Sequence, residues 1–440
     1  MTPIPISEHI VNEVIDAFGI HPVGKATIRE LVKIVNDIEE LTGDEFIRME
    51  MGVPGLEPTF VGTEAEMIAL RKGVASEYPN IEGIKPLKEE AARFIKLFLN
   101  VEVGSIHCVP TVGSMMGGMA AFMVVNRSDN KRSGTLFLDP GFPVQKQQCL
   151  VLGHTFGSFD LYDYRGTKLK AKIEEEIEKG HYSSILYSNP NNPSWICLTE
   201  KELKIIGELS IKHDLTVIED LAYLGMDFRK DISKPGISPY QSTVAKYTNN
   251  YLLLISSSKA FSYAGQRIGM IIIAPDLFKR KYPDLKRYYN SEKFGHAMIY
   301  GALYALSGGA SHTAQYALAA IFKAVNNGTY NYIDEVKEYG AKAVIMKSLF
   351  RKYGFNLVYD KDLEEPLADG FYFTISYPGF SGQQLVQELL YYGISAVSLE
   401  ITGSSRIEGI RACVSKVRRD QMDMLEERLI CFRENHPIPK

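Results

Sequence analysis

Between residues 106 and 274 the chain alternates short apolar runs with amphipathic segments of helical length. Five of these runs have the length of buried strands: Thr135–Leu138, Ser184–Tyr187, Leu215–Ile218, Tyr251–Ile255 and Ile268–Ala274. Helices are expected around them at 114–126, 143–151, 168–179 and 199–213. This alternation predicts βαβ units, and therefore a mostly parallel sheet with helices on both faces. Ligands of such sheets bind beyond the carboxyl ends of the strands.

The two ends of the chain predict a second, smaller group of elements. Helices are expected there at 7–18, 25–41, 382–391 and 418–433. Two more helices are expected in the large domain, one at 87–99 and one capped by Thr63 with Glu66. Strands are expected at Asn356–Tyr359, Phe371–Ile375, Ile394–Val397 and Gly409–Val414. We therefore predict an α/β protein with a large domain, 56–326, and a smaller α+β domain formed by 1–55 and 327–440.

Composition excludes several classes of partner. The 440 residues carry 49 Lys and Arg against 53 Asp and Glu, a net charge of −4, so neither nucleic acid nor an anionic membrane is expected. The five cysteines form no CxxC pair and the nine histidines show no ligand spacing, which predicts reduced thiols and no metal site. No secretory signal and no run of membrane-spanning length are present, so a cytoplasmic protein is expected.

Lys259 lies in a polar turn between two apolar runs, directly after three serines and eight residues before Arg267. A lysine at the mouth of a buried sheet is poorly solvated, which favours the neutral amine that attacks a carbonyl. The hydroxyl of Ser256 and the guanidinium of Arg267 suit a phosphate. An amine beside a phosphate site is what pyridoxal phosphate requires. A solvated lysine and a surface arginine on a strand–strand turn explain this segment equally well.

Two further strand ends carry candidate ligand-binding residues. Gly113 and Ser114 begin an apolar helix, whose first N–H groups can bind an anion; Ser114 as an ordinary N-cap is the alternative. Phe142 follows a strand and an Asp-Pro-Gly turn, so its ring can stack on an aromatic cofactor or pack in the core.

Three polar residues lie in or directly after apolar runs. Asn192 belongs to a turn with two Asn-Pro pairs, and its amide can donate to a phenolic oxygen or simply form the turn. Asp220 ends a strand, where it can keep a pyridine nitrogen protonated or cap a helix. Arg411 lies within an apolar strand and needs an anion, which is either a bidentate carboxylate ligand or a structural ion-pair partner.

In this order, from about Gly52 to Arg411, the motifs resemble those of the class I and II aminotransferases, which are fold-type I pyridoxal phosphate enzymes. The ordered set is a Gly-Ser turn, an aromatic after Pro-Gly, NPxNP, D-x-x-Y, S-x-x-K and the later arginine. The resemblance implies an aspartate aminotransferase-like fold and pyridoxal 5'-phosphate as cofactor. It also implies transfer of an amino group between an L-amino acid and a 2-oxo acid.

The resemblance also implies a role for each matched residue. Lys259 would form the Schiff base and move the substrate proton, Asp220 would face the pyridine nitrogen, and Arg411 would bind the substrate carboxylate. The other residues matched to cofactor binding are Phe142 on the ring, Asn192 and Tyr223 at the phenolic oxygen, and Gly113, Ser114, Ser256 and Arg267 at the phosphate.

Four further residues bear on the partner subunit and the substrate. Tyr78 resembles the tyrosine that reaches the phosphate of the neighbouring subunit, which implies a homodimer. Gly52 lies in the loop that borders the substrate, and Asn192 is expected near it. Trp195, the only tryptophan, stands where the family usually has glycine, and it either reshapes the pocket or simply packs.

Two alternative functions remain open at this stage. A β-eliminating C–S lyase would use the same cofactor residues and release ammonia and pyruvate without a 2-oxo acceptor. A non-catalytic aminotransferase-like sensor is a second alternative, although Lys259 is intact and the first fifty residues carry no basic patch. The amino donor and acceptor are not identified by any motif.

Overall fold

The structure is a computed structural model that describes residues 3–438. Its strands are β1 (Ile47–Arg48), β2 (Cys108–Thr111), β3 (Gly134–Asp139), β4 (Phe156–Asp160), β5 (Tyr182–Ser188), β6 (Thr216–Leu221), β7 (Tyr251–Ser256), β8 (Gly269–Ile273), β9 (Asn356–Leu357), β10 (Lys361–Asp362), β11 (Glu365–Pro366), β12 (Tyr372–Ser376), β13 (Ile394–Ser395), β14 (Val397–Ser398) and β15 (Ile410–Cys413).

The described residues form seventeen α-helices, nine of which lie close to predicted segments. They are α1 (Glu8–Phe18), α2 (Ile28–Thr42), α3 (Phe60–Arg71), α4 (Lys85–Leu99), α5 (Gly113–Val125), α6 (Pro143–Val151), α7 (Lys168–Lys179), α8 (Glu200–Lys212), α9 (Ser257–Ala260), α10 (Pro275–Lys279), α11 (Lys286–Tyr289), α12 (Phe294–His296), α13 (Tyr304–Ser307), α14 (His312–Asn326), α15 (Tyr332–Lys352), α16 (Gly382–Tyr391) and α17 (Met422–Asn435). A π-helical stretch, Ala297–Leu303, separates α12 from α13.

Contacts within the described chain define two units. The large unit comprises Leu56–Asn191 and Cys197–Val336; the small unit comprises the described residues of Met1–Gly55, Asn192–Ile196 and Lys337–Lys440. A domain in the strict sense can fold alone, so the domain boundaries given by 56–326 and by 1–55 with 327–440 stay a prediction. Within residues 3–438, no helix combines the length and the apolar character needed to cross a bilayer.

One mixed sheet organises the large unit, in the strand order β2-β8-β7-β6-β5-β3-β4. Five neighbouring strands, β4, β3, β5, β6 and β7, run parallel, and β8 is antiparallel to both β7 and β2. Strands β6 and β7 are buried along their whole length, as expected of a sheet flanked by helices. The predicted α/β fold with a mostly parallel sheet is therefore confirmed.

Two strands of this sheet were not expected from the sequence. β2 contains Pro110, which cannot donate to a strand ladder, and it lies at one edge of the sheet. β4 lies at the other edge and contains Gly157 and Ser158, so it lacks an apolar run. β2 is buried but only four residues long and interrupted by its proline, whereas the first three residues of β4 are not buried, so hydrophobic patterning does not reveal either strand.

The predicted capping of α3 by Thr63 and Glu66 is wrong. The helix begins four residues earlier, at Phe60, with Thr59 rather than Thr63 at the N-cap position. The Thr63 hydroxyl donates to the Phe60 carbonyl oxygen at 3.1 Å. The Glu66 carboxylate accepts hydrogen bonds from Tyr263 and Thr313, at 2.7 and 3.0 Å, rather than reaching back to a backbone N–H. Long-range partners therefore override the local capping signal.

The small unit contains an antiparallel sheet in the order β14-β15-β12-β9. Its strand β15 pairs with both neighbours, and Arg411 lies opposite Thr374 on one side and Val397 on the other. The predicted strand Ile394–Val397 is divided in two: β13 pairs with β1, whereas β14 joins the four-stranded sheet. Arg411 thus projects from an inner strand, where its environment is fixed by the sheet.

Candidate active site

Apart from Tyr78, the candidate residues of the large unit lie at the end of the sheet where its parallel strands terminate. Parallel strands β3, β5, β6 and β7 all end there, and antiparallel β8 begins there. The register pairs Asp220 of β6 with Ser188 of β5, and Ser256, the last residue of β7, with Gly269 of β8. The loops that leave these strand ends carry the predicted residues, as the rule for α/β sheets requires.

Asp220 is a buried carboxylate held by two donors. Its Oδ2 accepts from the Gln145 side-chain amide at 2.9 Å, and its Oδ1 accepts from the Ala222 N–H at 3.1 Å. Burial raises the pKa of Asp220 to about 6, although both hydrogen bonds and the Lys259 charge act to lower it. A buried carboxylate with this pKa gains stability from a cation, such as a protonated ring nitrogen, placed beside it.

Lys259 lies close enough to Asp220 for their charges to interact. It is the third residue of α9, the short helix that directly follows β7, and its side chain is half-buried. The Ser257 hydroxyl donates to the Ile268 carbonyl oxygen at 2.6 Å and so closes the loop that connects β7 to β8. An amine and a carboxylate therefore lie near each other where the parallel strands end, with the amine on a short, closed loop.

Gly113 and Arg267 approach each other closely. Gly113 has a φ of +69°, and a Cβ at this position would lie 2.6 Å from Nη2 of Arg267, so glycine leaves the space that the guanidinium uses. Helix α5 begins at Gly113 with Val112 at the N-cap position, so Ser114 lies in the first turn rather than at the cap. The combination of first-turn N–H groups and a guanidinium is suited to an anion.

Ser256, Phe142 and Tyr223 lie at neighbouring strand ends. Ser256 is the N-cap of α9, and its Oγ accepts from the Ser258 N–H at 3.2 Å. Phe142 occupies the N-cap position of α6 and is half-buried, so its ring is neither a core residue nor a fully exposed one. Tyr223, three residues after Asp220, is buried.

The turn after β5 is held to the turn after β3. The Asn191 side-chain amide donates to the Pro140 carbonyl oxygen at 2.9 Å, close in sequence to Phe142. Asn189 receives a hydrogen bond from the Leu198 N–H at 3.1 Å and donates to the Ser242 carbonyl oxygen at 3.3 Å. Both asparagines therefore fix the polar turn within the large unit.

Arg411 is the candidate anion-binding residue of the small unit. The residue is buried; Nη1 donates to Oδ1 of Asn192 at 3.4 Å and Nη2 donates to the Glu50 carbonyl oxygen. Its Nε is buried without a hydrogen-bond partner, and no carboxylate within residues 3–438 forms an ion pair with it. A buried guanidinium with neutral partners and one unsatisfied donor favours binding of an external anion over a structural ion pair.

Gly52 and Tyr78 have opposite surroundings: Gly52 is closely packed and Tyr78 is exposed. Gly52 belongs to the small unit and packs against the Tyr372 hydroxyl so closely that a Cβ would overlap it. Tyr78, in the large unit, is 97% exposed, so its ring has almost no contact with the described chain.

Sequence reasoning missed three residues of these arrangements. Gln145 donates to Asp220, Glu50 accepts from Arg411 through its backbone, and the Tyr372 ring lies 4.7 Å from the Arg411 guanidinium carbon. The position of Gln145, three residues after Phe142 and on the first turn of α6, is a signal that could have identified it. No local pattern distinguishes Glu50 or Tyr372 from ordinary core residues.

The chain is similar in sequence to curated aminotransferases. The chain is 24% identical over 246 residues to a probable aspartate aminotransferase of Methanocaldococcus jannaschii, covering 56% of this chain and 61% of the relative. It is 23% identical over 238 residues to an asparagine–oxo-acid transaminase of Streptococcus mutans, covering 53% and 58% respectively. The chain thus spans about three fifths of the length of these curated relatives.

The fold and the family follow from two wider matches. An alanine aminotransferase structure from Pyrococcus furiosus superposes with a TM-score of 0.74 at 17% identity, covering 95% of this chain and 98% of that one, so the aspartate aminotransferase-like fold is confirmed. A sequence model of the family described as aminotransferase class I and II matches residues 54–429. The chain belongs to the class I and II aminotransferase family.

Proposed function

We propose that the protein is a pyridoxal phosphate-dependent aminotransferase that moves an amino group between an L-amino acid and a 2-oxo acid. The observation that carries this proposal is the interaction of Lys259 with the buried carboxylate of Asp220 at the carboxyl ends of parallel strands. Enzymes of this family use pyridoxal 5'-phosphate, which supplies an aldehyde for a lysine and a protonated ring that accepts electrons from the substrate Cα.

Several residues of the large unit fit this coenzyme. Lys259 would hold it covalently through its amine, and Asp220 would keep the ring nitrogen protonated, since a buried carboxylate is stabilised by a facing cation. Phe142 would stack on the ring. Arg267 would bind the phosphate together with the first turn of α5 and the Ser256 hydroxyl, and the approach of Arg267 to Gly113 supports this role. The remaining residues assigned here to the coenzyme are Ser114 at the phosphate, and Asn192 and Tyr223 at the phenolic oxygen.

The small unit would bind the amino-acid substrate. Arg411 would form a bidentate ion pair with the α-carboxylate, a role supported by its burial and by the unsatisfied Nε. Asn192 would orient Arg411 through its Oδ1 and border the substrate, and Gly52 would border it from its loop. The names of the relatives, which mention aspartate and asparagine with an oxo acid, support amino-acid and 2-oxo-acid substrates for this chain as well.

Lys259 would also carry the proton. In its neutral form the Lys259 amine would take the Cα proton of the substrate as a general base. The same amine would then act as the acid that returns a proton. Asp220 would contribute by stabilising the charged form of the ring nitrogen.

A substrate panel tests this function against the alternatives. The purified holoenzyme is incubated with single L-amino acids, with and without a 2-oxo acid, and amino products and ammonia are measured. An aminotransferase requires the 2-oxo acid for repeated turnover and releases no ammonia. Ammonia and pyruvate from a sulfur amino acid without an acceptor would identify the C–S lyase instead, and binding without any turnover would identify a sensor.

We also propose that the protein is a cytoplasmic homodimer. The exposed ring of Tyr78 supports the dimer, because it would reach the phosphate bound by the neighbouring subunit. The five cysteines, all buried, support a reducing compartment. Sedimentation of the holoenzyme measures the oligomeric state, and a monomer at micromolar concentration with full activity would contradict the dimer.

A further inference from the structure

Trp195 adopts a backbone conformation that is unusual for its size. It is 1% exposed, and its φ of +64° lies in the left-handed region, which bulky residues rarely enter. Only glycine adopts this conformation without steric cost. A left-handed backbone at a bulky residue persists only where the surrounding structure holds it. Contacts with neighbouring residues must therefore fix the Trp195 indole.

These contacts lie within the small unit. A Cβ at Gly370 would overlap the indole atoms Cε2, Cζ2 and Nε1, so the indole lies directly against the Gly370 backbone. The indole also packs against the Tyr372 ring, with centroids 6.1 Å apart and planes at 69°. Aromatic pairs with this geometry are more favourable than their area burial alone. Gly370 and Tyr372 therefore hold Trp195 in one position.

Tyr372 in turn holds Arg411. The Arg411 guanidinium carbon lies over the Tyr372 ring, 4.7 Å from its centroid. The Tyr372 hydroxyl packs against Gly52, where a larger residue would displace it. A second connection runs through the chain itself, because Asn192, whose Oδ1 accepts from Arg411 Nη1, is on the same short segment as Trp195.

We propose that Trp195 is a positioning residue for the substrate carboxylate: it fixes Tyr372 and the Asn192 turn, and these fix the guanidinium of Arg411. The inference rests on the proposed role of Arg411 in binding the α-carboxylate. A long arginine side chain that is ordered before the ligand arrives loses less conformational entropy on binding, which increases affinity. Trp195 thus acts at a distance on the substrate, without contacting it.

The protein's single tryptophan makes the connection directly observable. Holoenzyme is excited at the red edge of the protein absorption band, where tryptophan absorbs and tyrosine does not. It is titrated with 2-methylalanine, which has a carboxylate but no Cα proton. The control ligand is isopropylamine, which has the same carbon skeleton without the carboxylate. We expect 2-methylalanine to change the tryptophan emission and isopropylamine to leave it unchanged. The same emission change with both ligands, or none with either while coenzyme absorbance reports binding, would overturn the proposal.

Substitutions provide a second, independent test. Trp195→Leu and Tyr372→Leu are each expected to weaken 2-methylalanine binding by about threefold to thirtyfold, the range expected for loss of a buried cation–π arrangement. Because Asn192 is also assigned to the coenzyme, the readout is the ratio of 2-methylalanine affinity to isopropylamine affinity, which should fall by this factor in both leucine variants. Trp195→Phe and Tyr372→Phe, which keep an aromatic ring, should retain most of the affinity. Wild-type 2-methylalanine affinity in both leucine variants would contradict the proposal.

Two controls separate this proposal from other outcomes. Phe355→Leu alters a buried aromatic of the small unit whose ring contacts are with Phe350, Tyr377 and Phe432 rather than Tyr372. It should lower thermal stability without changing the preference for 2-methylalanine over isopropylamine. Arg411→Lys tests the proposed function itself. If Arg411→Lys weakens 2-methylalanine binding while both leucine variants bind normally, only the inference about Trp195 fails.

Discussion

The side-chain amide of Gln145 donates a hydrogen bond of 2.9 Å to Oδ2 of Asp220. Because this bond stabilises the ionised carboxylate, its removal in Gln145→Leu raises the pKa of Asp220 above its value of about 6 in the wild type. Ionised Asp220 is the form that pairs with a protonated ring. Coenzyme affinity is measured by absorbance titration at a series of pH values. As pH is lowered, Asp220 becomes protonated and affinity falls, and this fall should begin at a higher pH in the variant than in the wild type.

The control for this experiment is Gln147→Leu, which removes an exposed glutamine from the same helix. Its pH profile should coincide with that of the wild type. An identical profile in Gln145→Leu as well would mean that the Gln145 hydrogen bond does not influence the titration of Asp220.

Asp220→Asn should bind the coenzyme but turn over slowly. A neutral amide cannot keep the ring nitrogen protonated, so the ring accepts electrons less readily. We expect the single-turnover rate to fall by about 10²–10⁴-fold, the range typical for loss of a catalytic acid or base. Stopped-flow absorbance of the coenzyme measures this rate, and a rate within a few fold of the wild type would exclude the proposed role of Asp220.

Glu219, the neighbour of Asp220 on β6, makes stability depend on pH. It is fully buried; it accepts hydrogen bonds from Tyr187, Thr243 and the Val244 N–H, and burial raises its pKa to about 7 from an ordinary 4.5. The folded protein therefore binds a proton that the unfolded chain releases between these two values. The stability that protonated Glu219 contributes to the folded state is fully present below about pH 4.5 and is lost as pH rises through about 7.

Glu219→Gln removes that titration. The free energy involved is on the order of 2–3 kcal/mol, so the wild-type melting temperature should fall by several degrees more than that of the variant between about pH 5 and pH 8. Thermal unfolding in matched buffers measures the two slopes. Equal slopes would show that Glu219 titrates alike in the folded and unfolded states.

Much of the fold was predictable because its signals are local or periodic. The central strands β5, β6 and β7 each contain a short apolar run, and helix α8 begins at a Thr199–Glu202 capping box. The edge strands were not predictable because Pro110 interrupts β2 and β4 lacks an apolar run. The start of α3 was not predictable because Glu66 is bonded to residues distant in sequence. The division of 394–397 between two sheets likewise depends on pairing with β1 and β15.

The candidate site was predictable where chemistry is written into short motifs. Lys259, Asp220 and Arg411 each stand out as a charged residue at or within an apolar run, and the structure gives each a buried or half-buried environment. Gln145 and Tyr372 do not stand out, since an amide on a helix and a tyrosine in a strand are ordinary. Their contributions arise only when folding brings them against Asp220 and Arg411.

Arg411→Lys should weaken substrate binding more than it slows chemistry. Lysine cannot form the bidentate pair with a carboxylate or reproduce the planar contact with Tyr372. Loss of a buried charge pair costs about 2–5 kcal/mol, which corresponds to an increase of about 30-fold or more in the KM of the amino donor. Arg418→Lys, an exposed arginine paired with Glu45, is the control and should leave KM unchanged. An unaltered KM in Arg411→Lys would exclude its role in carboxylate binding.

Lys259→Ala should retain the fold and lose turnover. The lysine is on a four-residue helix and is half-buried, so its removal leaves no large cavity. Circular dichroism and thermal unfolding should match those of the wild type, whereas amino transfer should be undetectable. Near-wild-type turnover would contradict the assignment of Lys259 as the amine that moves the proton.

The most direct test locates the covalent link between protein and coenzyme. Holoenzyme is treated with borohydride, which reduces the bond between a lysine amine and the coenzyme to a stable amine, and the digested protein is analysed by mass spectrometry. We predict a single coenzyme-modified peptide, with the modification on Lys259. A coenzyme-saturated protein that carries the modification on another lysine, or on none, would contradict the account.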